Sequence, residues 1–144
     1  MTDKFINLLK NYGHDELQSL SSIYSDDVQY EDPINKGKDL IHLKLILEDL
    51  LKVFKKVRFE SIHSSHNDEF AFVSWKMCYE FRYKAYEIDG VSRLRFNGSG
   101  QITEHKDYWD ASFPLYGTFP IIGSIMKLIK KFVRVKEPSL KLDN

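Results

Sequence analysis

Between Phe70 and Arg82 the chain alternates. Ala71, Val73, Trp75, Met77, Tyr79 and Phe81 recur at every second position, with Ser74, Lys76 and Glu80 among the residues between them. A period of two places all six on one side of an extended strand, so this segment needs a sheet with one covered face. Its neighbours in sequence supply that sheet. Val57 to His66 is a predicted strand, and Asn67-Asp68 is its turn. Tyr86 to Phe96 is another, with a bulge or kink expected at Gly90. Asn97-Gly98-Ser99-Gly100 reads as a hairpin turn into a last strand, Gln101 to Asp110.

Helical spacing comes earlier in the chain. Thr2 is a predicted cap for a short helix with Phe5, Ile6, Leu8 and Leu9 on one face, ended by Gly13. Asp15 to Tyr24 reads as a second helix, with Leu17, Leu20 and Ile23 inward. A short strand at Asp27 to Glu31 stops at Asp32-Pro33, and Gly37 continues the loop. Asp39 caps a predicted long helix through about Phe54, whose apolar positions are Leu40, Leu43, Ile46, Leu47, Leu50 and Phe54. Helices followed by a run of antiparallel strands define an α+β domain. The expected form is a curved antiparallel sheet wrapped around the N-terminal helices as a cone, with a cavity near its wide end. Residues 1–113 are assigned to this domain. Residues 114–144 form an extension packed on it.

Composition narrows the functional classes. At 144 residues the chain is the size of one ordinary domain, and 21 basic residues against 21 acidic ones leave no global charge to attract nucleic acid. Cys78 is the single cysteine, so no internal disulfide can form. Met1-Thr2-Asp3-Lys4-Phe5 lacks the order of a secretory signal, and no apolar run is long enough for a bilayer. The expectation is a soluble cytoplasmic protein. There is no phosphate loop, nucleotide fingerprint or nucleophile elbow. His63 and His66 flank a turn without further ligands at metal spacing. No metal, nucleotide or redox cofactor is implied.

The last strand carries the chemistry. Thr103, His105, Asp107 and Trp109 share one face, which sets a carboxylate beside an imidazole and an indole. Desolvation there would ready Asp107 for proton transfer. A structural hydrogen bond is the alternative role. Asp32 reads first as an Asx-type turn and second as a partner carboxylate to Asp107. Trp75, Met77 and Tyr79 read as core packing and, in a pocket, as an apolar floor. Arg93 and Arg95 alternate with Leu94 and Phe96 and are placed on the outer sheet face.

The order of elements, the Tyr30-Glu31-Asp32-Pro33 loop, and Gly100-Gln101-Ile102 leading into His105-Lys106-Asp107-Tyr108-Trp109-Asp110 resemble the SnoaL-like group of the nuclear transport factor 2-like superfamily. The similarity runs from about Phe5 to Trp109. It implies the cone-shaped fold, often a homodimer through the open sheet face. Relatives include ketosteroid isomerases, polyketide cyclases, limonene epoxide hydrolases and non-catalytic binders. By the resemblance, Asp107 matches an acid-base aspartate of the closing strand. Tyr30 and Asp32 fall where the hydrolases hold their water. The arginine and second aspartate of the hydrolases are replaced by Trp75 and Met77, and no isomerase oxyanion hole is matched.

The expected function is binding of a small, mostly apolar molecule in the cone. Isomerase-, cyclase- or hydrolase-like proton transfer at Asp107 would be assisted by His105, Asp32 and Tyr30, with walls from Trp75, Met77, Tyr79 and Trp109. The alternative is a non-catalytic ligand-binding or assembly module using the sheet face. Beyond the Pro114 to Pro120 connection, Ile121, Ile122, Ile125, Met126, Leu128, Ile129, Phe132 and Val133 recur at helical spacing among lysines and arginines. This basic amphipathic helix reads as a lid or dimer-packing element. Peripheral membrane contact through Ile121 to Val133 is the less favoured alternative.

Overall fold

Phe5, Leu8 and Leu9 lie on one side of helix α1 (Asp3–Lys10) and are buried there. Thr2 contributes its carbonyl, which accepts from the Ile6 N–H at 2.9 Å; its hydroxyl makes no cap bond. The second predicted helix is instead a 3-10 segment, Glu16–Ser22. Its buried residues, Leu17 and Leu20, are three apart, the spacing a 3-10 turn stacks. Ser19 and Ser22 donate their hydroxyls to the carbonyls three residues back, which competes with α-helical bonding. Strand β1 (Tyr24–Glu31) follows directly, and β2 (Lys36–Gly37) turns the expected loop at Gly37 into a two-residue edge strand.

The computed structural model describes residues 2–67, 69–111 and 128–129, and the chain divides into two units, 1–111 and 112–144. In the first unit, Asp39 caps α2 (Leu40–Val53) by accepting from the His42 N–H at 2.7 Å. Leu43 and Leu47 are buried, and Leu40, Ile46, Leu50 and Phe54 pack against the same core. Three long strands then form a meander: β3 (Lys55–His66), β4 (Ala71–Phe81) and β5 (Lys84–Phe96). The alternation holds: Ala71, Val73, Trp75, Met77 and Tyr79 are all buried. Lys56 and Ser61, each at φ 51°, sit where β3 shifts register on β4, and these bulges bend the edge of the sheet.

Strand β6 (Ile102–Trp109) closes the sheet in the order β2-β1-β6-β5-β4-β3. The β1–β6 pair is parallel, so the sheet is mixed rather than wholly antiparallel. The fold is nevertheless the expected α+β arrangement of helices against an open, curved sheet. Asn97 organises the turn before β6: its side-chain oxygen accepts from the Ser99 and Gln101 N–H groups, and Gly100 takes φ 80°.

Gly90 is not a bulge. The β4–β5 register runs unbroken from Ala71↔Leu94 to Phe81↔Lys84. Glycine is required because the Trp75 indole lies over its backbone: a Cβ there would stand 2.2 Å from the ring. The predicted C-terminal helix lies outside the described residues except for Leu128 and Ile129, which are helical. Among the described residues no helix is long and apolar enough to cross a membrane.

Candidate functional site

Strand pairing brings the site together. Asp107 on β6 is the direct partner of Ser92 on β5, and His105 pairs with Tyr30 on β1. Trp109 pairs with Gly90, which on its other side pairs with Trp75. The inward side chains of four strands therefore meet at one level of the sheet.

They form a hydrogen-bond network whose direction can be read from its donors. The Trp75 indole N–H can only donate, and it does so to the Ser92 hydroxyl at 2.9 Å. Ser92, buried, therefore turns its own proton to Asp107 Oδ1 at 2.5 Å. His105 Nε2 reaches the same oxygen at 2.8 Å, and Tyr24 meets His105 Nδ1 at 3.1 Å. A carboxylate accepts and the Tyr24 phenol donates, so the imidazole proton belongs on Nε2. Asp107 Oδ1 thus holds two donors.

Oδ2 is the less occupied oxygen. Its contact is the Tyr30 hydroxyl at 3.3 Å, and that hydroxyl lies closer to Asp32 Oδ2, at 2.9 Å. One phenolic proton therefore stands between two carboxyl groups. Asp32 is fixed from behind: its Oδ1 accepts from the Ile34 and Asn35 N–H groups at 2.7 Å each, an Asx turn that also faces the site. The Asx turn expected of Asp32 is formed, and the Tyr30 hydroxyl lies between its other oxygen and Asp107.

The surroundings are aromatic. Phe5, Tyr24 and Tyr30 pack around the His105 ring, with centroids 5.0–5.9 Å away. Tyr12 stacks edge-on with Phe59, and Phe59 with Trp75. Burial pushes the phenols of Tyr24 and Tyr30 well above their ordinary value, and the Asp107 charge adds to this. Tyr12 is raised by the same two causes in the same order. Three phenols thus feel the Asp107 charge. Its side chain keeps 15% of its surface exposed, against 4% for His105, so the carboxyl is the reachable member of the pair.

Asp107, His105, Tyr30, Asp32 and Trp75 are therefore drawn into one network. Trp109 packs on the core beside it. Met77 and Tyr79 are buried farther along β4, toward the hairpin. Tyr79 stacks on Tyr86 and its hydroxyl has no partner among the described residues; burial, then the Tyr86 phenol, raises it to about 12. Sequence reasoning missed Ser92, Tyr24 and Tyr12. Ser92 had a readable signal: it is a hydroxyl at the inward parity of β5, between Gly90 and Leu94.

A family model for the SnoaL-like domain matches residues 5–105. The chain belongs to the SnoaL-like family. The match takes in Tyr30, Asp32, Trp75 and His105, whereas Asp107 and Trp109 lie just past its end. No curated protein matches the chain. Solved structures share the fold at low identity. A ketosteroid isomerase-like protein from Catenulispora acidiphila in complex with trimethylamine has TM-score 0.67 and 11% identity, over 76% of this chain and 87% of that one. A nuclear transport factor 2-like protein of unknown function from Exiguobacterium has TM-score 0.63 and 15% identity, over 76% and 97%. A candidate SnoaL-like polyketide cyclase from Jannaschia has TM-score 0.66 and 9% identity, over 76% and 84%.

Proposed function

We propose that this SnoaL-like chain binds a small, mostly apolar molecule against the inner face of the sheet and moves a proton at Asp107 Oδ2. One observation carries the reading: Asp107 is anchored through one oxygen by Ser92 and His105 while the other oxygen stays in loose contact with Tyr30. Anchoring fixes the direction of the free lone pairs, which general acid–base catalysis requires. Tyr30 and Asp32 supply a second hydroxyl–carboxyl pair beside it, suited to holding a substrate oxygen. Aromatic neighbours exclude water and favour a flat ligand. Isomerase-, cyclase- and hydrolase-like reactions all need such a proton transfer. The related polyketide cyclase and isomerase folds make this class a reasonable first screen.

The test is a thermal-shift and calorimetric screen of steroids, terpenoids and aromatic polyketide-like compounds, followed by assay for conversion of any binder. Asp107→Asn should keep binding and abolish turnover. Asp32→Asn and Asp107→Asn should be non-additive, because Tyr30 joins them. Simple additivity contradicts a shared site. A second reading has its own support: Ser92, His105 and Tyr30 together engage both oxygens of Asp107, as in a structural network. Binding that survives Asp107→Asn with no conversion by either form would favour this passive receptor.

A further inference from the structure

A cleft lies at the β1–β6 edge of the sheet, bordered by β2. It is an open cleft of about 430 Å³ whose charged lining is Glu31, Lys36, Lys38, Arg93, Glu104 and Lys106, with Tyr30, His42 and His105 also among the lining residues. That volume is in the range of small-molecule sites. The outward residues Glu31, Glu104 and Lys106 form much of its floor, and Tyr30 and His105 of the inward network also contribute to its lining.

Its charges do not balance. Four permanently basic side chains face two carboxylates. One carboxylate, Glu104, is taken by Arg95 at 3.2 Å, and Arg95 is not part of the lining. The other, Glu31, is shared between Lys106 at 3.0 Å and Lys36 at 3.4 Å, and these two cations hold its carboxyl below the usual carboxylate range. Arg93 and Lys38 have no carboxylate in ion-pair contact among the described residues. Arg93 is half-buried, and its guanidinium packs on the Phe70 ring at 4.7 Å. Stacking fixes the plane of the fork and leaves its N–H edges free, the arrangement that recognises a planar or tetrahedral oxyanion.

We infer that this cleft binds the phosphate or carboxylate group of a small molecule, with Arg93 as the fork and Lys106, Lys36 and Lys38 as the surrounding positive field. Glu31 is the built-in competitor: an arriving anion displaces it from the two lysines.

The probes are inorganic phosphate and, separately, succinate, titrated at low ionic strength and followed by calorimetry and by amide shifts. Wild-type chain should saturate with at least one of them, and the stronger one names the anion. Arg93→Gln should weaken binding about tenfold, as loss of a charge-assisted pair does. Glu31→Gln should tighten it, because it releases both lysines. Lys52→Gln, on α2 and outside the lining, should leave it unchanged. Should Arg93→Gln disturb the sheet, Arg93→Lys decides: it keeps the charge, loses the fork and should still weaken binding. Equal, unsaturable shifts in all variants would overturn the site. So would a sedimentation result in which a second copy covers this face and Arg93→Gln changes mass rather than anion affinity.

Discussion

The two faces of strand β6 use the same kind of group in opposite ways. Inward, one carboxylate, Asp107, gathers a hydroxyl and an imidazole at 2.5 and 2.8 Å, and they in turn hold an indole and a phenol. Outward, Glu31 and Glu104 meet Lys106 and Arg95 at 3.0 and 3.2 Å in partly exposed pairs. Distances are similar, but the consequences are not. A buried acceptor that loses a donor carries an uncompensated desolvation cost, whereas an exposed ion pair exchanges its partner for water. The inner face is therefore where substitutions should matter for stability, and the outer face is where charge is free to serve recognition.

The steepest test of that contrast is Gly90→Val. The added atoms would overlap the Trp75 ring, and overpacking of this kind costs about 3 kcal/mol. Urea unfolding should show it, and an unchanged midpoint would mean that the indole is not seated over the strand. Next comes Ser92→Ala, which strands the Trp75 N–H and removes one donor from Asp107. The expected loss is about 2 kcal/mol, with a shift of the indole N–H resonance.

A smaller effect is expected for Tyr24→Phe, about 1 kcal/mol at neutral pH. Its pH dependence is more telling. The folded phenols of Tyr24 and Tyr30 titrate above the ordinary 10.0 of the unfolded chain. The stability they contribute is therefore complete below pH 10 and is lost as pH rises above it. Removing the Tyr24 hydroxyl should flatten that alkaline decline. If wild type and variant fall with the same slope above pH 10, Tyr24 is not buried as a neutral phenol. Smallest of all, exchanging Glu31 and Lys106 together for glutamine should leave the urea midpoint where it was. A clear drop would erase the distinction between the faces.

Much of this architecture is legible in the chain. The stripe from Ala71 to Phe81 has a period that only a strand with one covered face satisfies. Asp39 precedes an apolar helical pattern and folds as its cap. The parity of β6 correctly puts His105, Asp107 and Trp109 on one side. Other features have no local signal. Lys36 and Gly37 are too short a strand to show a period, and the parallel pairing of β1 with β6 depends on the path of the whole chain. Gly90 signals close approach and bulge equally well; only the position of the Trp75 ring separates the two. Tyr24 was hidden because serine-rich 3-10 geometry ends the second helix early and lets β1 begin sooner than the apolar pattern suggests. Ser92 is legible as an inward hydroxyl from the parity of β5, but its bond to Asp107 depends on the cross-strand register.

The side-by-side run of β1 and β6 also governs when the network can exist. Tyr24 and His105 are 81 residues apart, and Tyr30 and Asp107 are 77 apart. On the ribosome, the first strand emerges long before the one it must hold. Until translation passes Asp107, Tyr24 has no imidazole to meet and Tyr30 has only its neighbour Asp32. The network is therefore one of the most non-local parts of the fold, with a large loop-closure cost and a slow assembly step. Nascent chains halted short of that point should lack every contact made by His105 and Asp107, however well their helices have formed.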